Sequence, residues 1–255
     1  MAFIVVIPAR YGSTRLAGKA LVDICGQAMI QRVHNCALAA GAERVIVATD
    51  DRRIADAVTK FGGEACQTSE KHPSGTDRIA EVIEHLGIDD DKIIVNLQGD
   101  EPLMPSAIIQ QVVTSLENNP LAAMATACHS IKDSETLHNP NIVKVVLDES
   151  GMAMYFSRAP IPWDREHNGA TQLPQQTYHH IGLYAYRAKF VLQMSAWEPC
   201  QVEQIESLEQ LRVLWHGRKI AVCVANRKPG PGVDTAEDLE KVIQIFETKL
   251  AKKSL

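Results

Sequence analysis

The chain has 255 residues, of which 45% are hydrophobic and 22% are charged, a composition that argues against a disordered, coiled-coil or collagen-like protein. Its net charge of −5 carries no overall signature of nucleic-acid or anionic-lipid binding. No apolar run approaches the roughly 20 residues of a membrane span, and the amino terminus lacks the features of a signal peptide. Six cysteines without metal-type spacing favour buried thiols in a reducing compartment. We therefore expect a cytoplasmic protein that binds neither nucleic acid nor membrane.

Short apolar strands alternate with helical patterns through the first half of the chain. In chain order, the predicted elements are a strand at Phe3–Ile7 stopped by Pro8, a helix at Met29–Ala40, a strand at Arg44–Ala48, a helix at Asp51–Phe61, a helix bearing the stripe Ile79, Val82, Ile83 and Leu86, a strand at Ile93–Leu97 and a helix at Pro105–Leu116. This order predicts an α/β fold, with a mostly parallel (mixed) sheet and helices on both faces. Ligands of such sheets bind outside the carboxyl ends of the strands.

The pattern changes after about Ala122, where strand-like segments follow one another closely. These segments are Ala122–Cys128, Val143–Leu147 and His180–Tyr186, with a loop at Asn168–Gln176, and a final strand at Lys219–Val224 precedes a helix from Thr235. We interpret residues 1–255 as a single domain with a smaller inserted β-rich lid at about 122–200.

The loop after the first predicted strand carries Arg10, Arg15 and Lys19 and no acidic residue. Three cations in a glycine-containing loop suggest a polyanion such as a nucleoside triphosphate, although a solvated surface loop is the simpler alternative. Gly12 and Gly18 are one residue too far apart for a Walker A loop, and the GxGxxG fingerprint of dinucleotide-binding folds is absent from this turn. The sequence therefore points to another type of nucleotide site.

The segment from His72 to Arg78 opens a predicted helix. Ser74 or Thr76 can cap its free N–H groups. Arg78 in the first turn opposes the helix dipole, and a bound anion or polar base would offset this cost. Asp77 offers the same compensation from within the chain.

Carboxylates follow the strand at Ile93–Leu97 and recur near the carboxyl terminus. Asp100 and Glu101 lie at the predicted ligand-binding edge, where they suit a hard metal such as Mg²⁺ or could pair with the loop arginines. Asp234 precedes the last predicted helix, with Glu237 three residues later, and these residue types predict a capping box. Residue chemistry alone does not decide whether Asp234 is a helix cap or a metal ligand.

The strand at His180–Tyr186 alternates strictly. Its apolar residues are expected to face a core, while the opposite face suits a sugar or an interface; that face carries His180, Gly182, Tyr184 and Tyr186. A helical stripe is predicted downstream at Ile205, Leu208, Leu211, Leu214 and Trp215, with Glu206, Glu209, Gln210 and Val213 off it. Arg158 and Arg165 flank a proline-rich segment and could present two guanidinium groups to a carboxylate.

Together, these segments resemble the bacterial 3-deoxy-D-manno-octulosonate (Kdo) cytidylyltransferases, or CMP-Kdo synthetases. The matching motifs are IPARYGSTRLAGK, ATDD, HPSGTDR, NLQGDEP, NPNIVKVVLD, YFSRAPIPWDR, HHIGLYAYR, IESLEQLRVLWHG and GVDTAEDLE. The resemblance implies a glycosyltransferase-A-like nucleotidyltransferase fold, in which the inserted region also serves dimerisation. It further implies a homodimer, Mg²⁺ as cofactor, and CTP and Kdo as substrates. The products would be pyrophosphate and CMP-Kdo for lipopolysaccharide biosynthesis.

The resemblance also implies roles for individual residues. The expected catalytic residues are Lys19, Asp100, Asp234 and Arg15, with Asp100 and Asp234 as the Mg²⁺ ligands. The expected nucleotide-binding residues are Ala9, Arg10, Ser74, Gly75, Arg78 and Gln98. The expected sugar-binding residues are Arg158, His180, Tyr184, Glu209 and Gln210.

Three positions depart from the family pattern. Ala17 and Ala20 stand where the family usually has proline, which removes about 0.4–1 kcal/mol of backbone stiffening per site and is expected to raise the CTP requirement. His179 stands where the family commonly has Arg, so any charge in a sugar pocket there would depend on pH. The alternatives are a cytidylyltransferase for amino-Kdo or sialic acid, and a nucleotide-binding module without catalysis.

Overall fold

The computed structural model describes residues 2–12, 16–166 and 176–253. Arg15 and most of the predicted loop Asn168–Gln176 lie outside these ranges. The chain divides into two compact units, one formed by Met1–Gln110 with Pro229–Leu255 and the other by Gln111–Lys228. The second unit is thus inserted into the first along the sequence, whereas its role as a lid or dimer contact stays a prediction.

The first unit contains a four-stranded parallel sheet and a short two-stranded hairpin. The strands of this unit are β1 (Phe3–Ala9), the hairpin strands β2 (Asp23–Ile24) and β3 (Gln27–Ala28), β4 (Arg44–Thr49), β5 (Glu64–Gln67) and β6 (Ile93–Asn96). The parallel sheet has the strand order β6-β1-β4-β5. The helices of the unit are α1 (Met29–Ala39), α2 (Arg52–Lys60), α3 (Gly75–Leu86) and the carboxyl-terminal α9 (Ala236–Lys253), together with a short 3₁₀ helix at Lys19–Leu21. Helix α4 (Ser106–Asn118) leads along the chain into the second unit.

The strand order places helices on both faces of this sheet. The chain moves from β1 through α1 to β4 and through α2 to β5 in one direction, and then returns through α3 to β6. Because parallel crossovers are right-handed, α1 and α2 cover one face and α3 covers the other. This confirms the α/β fold class. It also explains the fully buried runs at Val5–Ile7 and Ile46–Ala48, since both strand faces are covered.

The first strand runs past its predicted end. Pro8 and Ala9 continue β1 and stay in register with Ala48 and Thr49 of β4, although we expect Pro8 to stop the strand. Pairing with β6 ends at Val6, whose carbonyl accepts a hydrogen bond from the Leu97 N–H. Pro8 faces the same side as Val6, beyond the end of that ladder, so its missing N–H costs no hydrogen bond.

The carboxyl-terminal segment packs back onto the beginning of the chain. Val233 and Val242 are buried in a cluster with Ile24, Met29 and Leu103. Burial of these apolar side chains, at roughly 25 cal/mol per Å², fixes the residues just before α9 against the segment that follows β6. The chain from 229 onward thereby completes the first unit.

The second unit is built on a largely antiparallel sheet. The strands are β7 (Ala122–Ser130), β8 (Lys144–Leu147), β9 (Ala153–Ser157), β10 (Tyr178–Arg187) and β11 (Lys219–Val224). Strand β10 pairs antiparallel with both β7 and β8, β8 pairs antiparallel with β9, and β11 pairs parallel with β7. The helices are α5 (Ser134–His138), α6 (Ala188–Ser195), α7 (Gln201–Glu206) and α8 (Gln210–Trp215).

The structure corrects the predicted alternation along β10. A register shift against β7 lies between Ile181 and Tyr184, and this bulge breaks the strict period of two. His180 and Tyr186 are consequently buried and do not lie on an open polar face. Only Gly182 of the four residues assigned to that face is exposed.

The predicted helical stripe at Ile205–Trp215 is wrong as a single helix. Ser207 adopts a left-handed conformation with φ 52° and separates α7 from α8. Ile205 and Trp215 are exposed, whereas Gln210 and Val213, placed off the stripe, are buried. The periodicity spans a break, so residues on either side of it do not share one face.

Within the described ranges, none of the helices is both long and apolar enough to cross a membrane. The six cysteines are all free thiols, three of them buried.

Candidate active site

A cavity of about 300 Å³ lies at the carboxyl edge of the sheet in the first unit. It is lined by the ends of β1 and β6, the 3₁₀ helix, the start of α3 and the segment before α9. The lining residues are Pro8, Ala9, Arg10, Lys19, Ala20, Met29, His72, Pro73, Ser74, Gly75, Arg78, Gln98, Gly99, Asp100 and Asp234. This is the position at which parallel α/β sheets bind ligands.

Lys19 bridges the two aspartates inside this cavity. Its Nζ donates to Asp100 Oδ2 at 2.7 Å and to Asp234 Oδ1 at 3.1 Å. These residues are 81 and 215 positions from Lys19 in the sequence. The alternative in which Asp100 pairs with Arg10 is not what the structure shows among its described residues.

Backbone contacts hold Asp234 beside Asp100. The Val233 N–H donates to the Asp100 carbonyl oxygen at 2.9 Å. A Cβ at Gly230 would lie only 2.6 Å from Leu103 Cβ, so a residue without a side chain is required for this close approach. The loop before α9 therefore lies directly against the chain that follows β6.

Thr235 and Asp238 bond to each other at the start of α9. Thr235 Oγ1 accepts from the Asp238 N–H, and Asp238 Oδ2 accepts from the Thr235 N–H and hydroxyl. The capping box thus consists of Thr235 and Asp238, one position along from the predicted pair of Asp234 and Glu237. The Asp234 carboxylate accepts a hydrogen bond from Lys19.

The cluster carries an excess of negative charge. Burial, and then the charges of Asp100 and Asp234, raise the pKa of Glu101 to about 8, while Lys19 acts in the opposite direction. Asp100 and Asp234 both pair with the Lys19 ammonium group, and a cation bound beside them would favour the ionised form of Glu101 as well. The described residues contain no group of three or more His, Cys, Asp or Glu side chains arranged to hold a metal ion.

The start of α3 lines the cavity through residues that are already bonded within the protein. Ser74 Oγ accepts from the Asp77 N–H and donates to the Asp77 carboxylate, so it serves as the helix cap. Arg78 is buried and donates to Thr68 Oγ1 and, at 3.0 Å, to Asp50 Oδ2. Asp50 thus supplies the counter-charge for which the sequence suggested a bound anion, a polar base or Asp77.

A second polar cluster lies within the inserted unit. His180 is buried, with Nε2 3.0 Å from Thr126 Oγ1, and its ring lies 5.5 Å from that of Tyr184. Burial raises the pKa of Tyr184 well above its usual value, as does the charge of nearby Glu209. Gln210 is buried, and its Nε2 has no hydrogen-bond partner among the described residues. A buried unpaired amide is costly, and a ligand oxygen would satisfy it.

Arg158 borders this cluster, with its donors directed to backbone carbonyls. Its Nε donates to the backbone carbonyl oxygen of Glu206 at 2.7 Å, and its Nη1 donates to the backbone carbonyl oxygen of Pro140 at 3.1 Å. The Glu206 carboxylate in turn accepts from the Arg158 N–H at 2.9 Å. Arg158 therefore holds the turn that leads to Glu209. Arg165, its suggested companion, is exposed.

Comparisons with known proteins identify the family. The sequence profile described as "Cytidylyltransferase" matches residues 4–220. The chain belongs to the cytidylyltransferase family. It is 56% identical to the 3-deoxy-manno-octulosonate cytidylyltransferase of Idiomarina loihiensis over 245 residues, which are 94% of this chain and 97% of the relative. The protein of the same name from Aliivibrio fischeri is 57% identical over 248 residues, covering 96% of this chain and 99% of the relative.

A solved structure also resembles this cytidylyltransferase over nearly its full length. CMP:2-keto-3-deoxy-manno-octonic acid synthetase complexed with CTP matches with a TM-score of 0.89 and 43% identity, covering 97% of this chain and 99% of that chain. The nucleotidyltransferase fold is thereby confirmed.

The structure brings together all the predicted catalytic and nucleotide-binding residues that it describes. They line one cavity of the cytidylyltransferase, and Arg15 is outside the described ranges. Four of the five predicted sugar-binding residues cluster in the inserted unit; they are His180, Tyr184, Glu209 and Gln210. Arg158 lies beside them with its donors bonded to backbone.

Sequence reasoning missed His72 as part of the site. His72 precedes the helix cap and has the appearance of an ordinary loop residue, although it lines the cavity. Glu101 was placed with Asp100 as a candidate carboxylate for a hard metal, and its pKa responds to the charges of Asp100 and Asp234. For His72 the signal was weak, because β5, the strand before it, has only one buried residue.

His179 gives this cytidylyltransferase an acid-sensitive site. Burial, and then the neighbouring charges, lower the pKa of His179 from 6.5 to about 4. Between these values the unfolded chain binds a proton that the folded one does not, so stability falls as the pH drops from 6.5 to 4. The wild type loses free energy of unfolding when the pH falls from 7 to 4.5. We expect this loss to be about 2 kcal/mol smaller in His179→Asn. Urea unfolding at both pH values measures this, with exposed His85→Asn as the control. Equal acid losses in His179→Asn and the wild type would contradict it.

Proposed function

We propose that this cytidylyltransferase transfers CMP from CTP to Kdo, giving CMP-Kdo and pyrophosphate for lipopolysaccharide biosynthesis. The anomeric hydroxyl oxygen of Kdo forms a bond to the α-phosphorus as the bond to the β-phosphate oxygen breaks, and pyrophosphate departs with that electron pair. The observation that carries the proposal is the bridge from Lys19 to Asp100 and Asp234 inside a cavity at the carboxyl edge of the sheet. It is supported by relatives named for this activity at 54–57% identity.

The residues of the cavity suit a triphosphate. Transfer of this kind needs positioning and charge neutralisation more than a covalent intermediate. Lys19 and Arg10 line the cavity, and we assign them to the phosphates, where they neutralise charge on the departing pyrophosphate. Arg15 is assigned the same role on the basis of the family resemblance. Ala9, Gly75 and Gln98 would contact the nucleotide from the ends of β1 and β6 and the start of α3.

We propose Mg²⁺ as the cofactor, held by Asp100 and Asp234. Two aspartate carboxylates that share one ammonium group offer the oxygen ligands that a hard divalent cation prefers. Since two carboxylates do not complete its coordination, phosphate oxygens and water would supply the other ligands. When bound, Mg²⁺ neutralises phosphate charge and acidifies the attacking hydroxyl. Lys19 then remains available to the phosphates once the aspartates are engaged.

We assign the sugar to the polar cluster of the inserted unit. Kdo carries a carboxylate and several hydroxyl groups, and the cluster offers the unpaired Gln210 amide, the Tyr184 hydroxyl and the Glu209 carboxylate. His180 is held by Thr126 and would support the Tyr184 ring. Arg158 would act by fixing the turn before Glu209 or by turning a donor to the Kdo carboxylate.

The decisive experiment measures pyrophosphate release by the purified enzyme with Mg²⁺, Kdo and each of the four nucleoside triphosphates. We expect turnover with Kdo and CTP and formation of CMP-Kdo, verified by mass spectrometry. Amino-Kdo and sialic acid serve as competing acceptors. If turnover is faster with amino-Kdo or sialic acid, that sugar and not Kdo is the substrate. Binding of CTP without pyrophosphate release would indicate a non-catalytic module.

We also propose a homodimer in the cytoplasm. The inserted unit exposes several large apolar side chains, which favour a protein contact; these are Met154, Tyr155, Ile205 and Trp215 at 62%, 39%, 73% and 60% exposure. Light scattering on the same preparation measures the mass of the assembly. The free cysteines support a reducing compartment.

A further inference from the structure

His72 and Glu81 form a hydrogen-bonded pair beside the cavity of the first unit. The His72 ring lines the cavity, and its Nε2 is in short contact with Glu81 Oε2. The same Glu81 oxygen accepts the Ser69 N–H at 2.8 Å. Glu81 therefore fixes both the loop after β5 and the orientation of the imidazole.

The strand order separates the start of the loop that carries this pair from the Lys19 bridge. Asp100 follows β6, and the loop that carries His72 starts at β5, three strand positions away. At roughly 4.8 Å per position this separation is about 14 Å. The loop then returns to β1, because a Cβ at Gly75 would lie 3.3 Å from the Pro8 ring. His72 lies on the chain between these two points, and it lines the same cavity as Lys19, so the base of a triphosphate held at Lys19 lies in a cavity that this loop helps to form.

The polar groups around this loop suit a neutral ligand. The Arg78 guanidinium is bonded to Asp50 and Thr68, and Ser74 is bonded to Asp77. His72 differs from them, because its Nδ1 has no hydrogen-bond partner in the described part of the chain. The His72 side chain retains 21% exposure, so a ligand in the cavity has access to it.

The bond to Glu81 determines which His72 nitrogen carries the proton. Burial acts to raise the pKa of Glu81, but hydrogen bonds from His72 and Ser69 outweigh it and hold that pKa below its usual value. An ionised carboxylate only accepts hydrogen bonds, so Nε2 carries the proton. In the neutral ring, Nδ1 then keeps a lone pair and is an acceptor.

We propose that Nδ1 of His72 accepts a hydrogen bond from the 4-amino group of cytosine, and that Glu81 fixes the tautomer that makes this possible. The inference rests on CTP being the nucleotide substrate. Uracil presents a carbonyl oxygen at the same position, which would face the lone pair of Nδ1. A pocket that leaves an acceptor opposite an acceptor rejects the wrong base. The pair thus selects CTP against UTP.

The test compares kcat/KM for CTP and UTP in wild-type enzyme and in His72→Phe, which keeps an aromatic ring but has no nitrogen. We expect the CTP/UTP ratio to fall about tenfold, as for the loss of one hydrogen bond and one repulsive contact. The triphosphate of 2-pyrimidinone riboside lacks the 4-amino group. It should be a poorer substrate than CTP for wild-type enzyme and nearly equal to CTP for His72→Phe.

Glu81→Gln tests the tautomer lock, since a neutral amide holds the Nε2 proton less firmly. We expect a smaller fall in the same ratio, while Glu84→Gln, exposed on the same helix, leaves the ratio unchanged. Circular dichroism verifies folding, and calorimetric affinities for CTP and UTP provide the ratio for any variant that does not turn over.

If His72→Phe lowers kcat/KM for CTP and for UTP by the same factor, the proposal is overturned and His72 is only a loop contact. A normal ratio in Glu81→Gln alone would overturn the part given to Glu81. Failure of the proposed function is distinguishable from either outcome, because it shows as absent turnover of CTP and Kdo by wild-type enzyme.

Discussion

Asp100→Asn is expected to lower kcat by about 100-fold or more, with the fold intact. The change removes one of the two carboxylates proposed to hold Mg²⁺ and one of the two acceptors of Lys19 Nζ. Loss of a single preorganised electrostatic group in an active site has an effect of this size. Steady-state pyrophosphate release at saturating CTP and Kdo measures it, together with the Mg²⁺ concentration that gives half-maximal rate, which should rise.

Asp90→Asn is the matched control for this variant. Asp90 is exposed in the loop before β6 and remote from the Lys19 bridge. The kcat of Asp90→Asn should therefore equal that of the wild type. If Asp100→Asn retains near-normal kcat and Mg²⁺ dependence, the assignment of Asp100 to the metal is wrong. Asp234→Asn should reproduce the loss, because the two carboxylates share one ammonium group.

Arg212→Met is expected to lower the free energy of unfolding of the inserted unit by about 3–5 kcal/mol. Arg212 forms two hydrogen bonds to Glu203, at 2.8 and 2.6 Å, and both side chains are at most 10% exposed. It also donates to the Trp197 carbonyl, and Glu203 accepts the Cys200 N–H. Removing Arg212 leaves a buried carboxylate without its counter-ion, which is the costly case for a buried ion pair.

Urea unfolding measures this loss, and two further variants interpret it. The double variant Glu203→Leu/Arg212→Met should recover much of the lost stability, because no charge then remains buried. Arg218→Met, at an exposed position after α8, should change stability by less than about 0.5 kcal/mol. A loss below about 1 kcal/mol in Arg212→Met would show that the pair is solvated.

The elements of the first unit could be predicted because local rules determine them. Apolar β-branched runs such as Phe3–Ile7 and Arg44–Ala48 form buried strands, and Gly41 and Gly62 follow helix ends. Strand β5 was missed because only Cys66 among its four residues is buried, so it carries no strong pattern. The bulge in β10 was missed because a register shift is set by the partner strand, and residue types within β10 do not encode it.

Residue types at the carboxyl ends of strands determined much of the candidate site. The cationic loop and Asp100 were placed at the sheet edge by chain order alone. They line one cavity with the segment around Ser74, which was predicted to open a helix and, from the family resemblance, to bind the nucleotide. The role of Asp234 could not be derived in this way, since a helix cap and a metal ligand use the same side chain. Asp50 as the counter-ion of Arg78 was equally invisible, because the two residues lie on different elements.

By itself, the amino-acid sequence determined the alternation of strands and helices, the α/β class and the chemistry of the loop that follows β1, because each depends on residues near one another along the chain. Only the tertiary structure decided that Lys19 joins Asp100 to Asp234, that Thr235 and Asp238 cap α9, and that Glu81 orients His72 in the cavity. These contacts depend on how separate elements pack, and packing brings together groups that local patterns treat as independent.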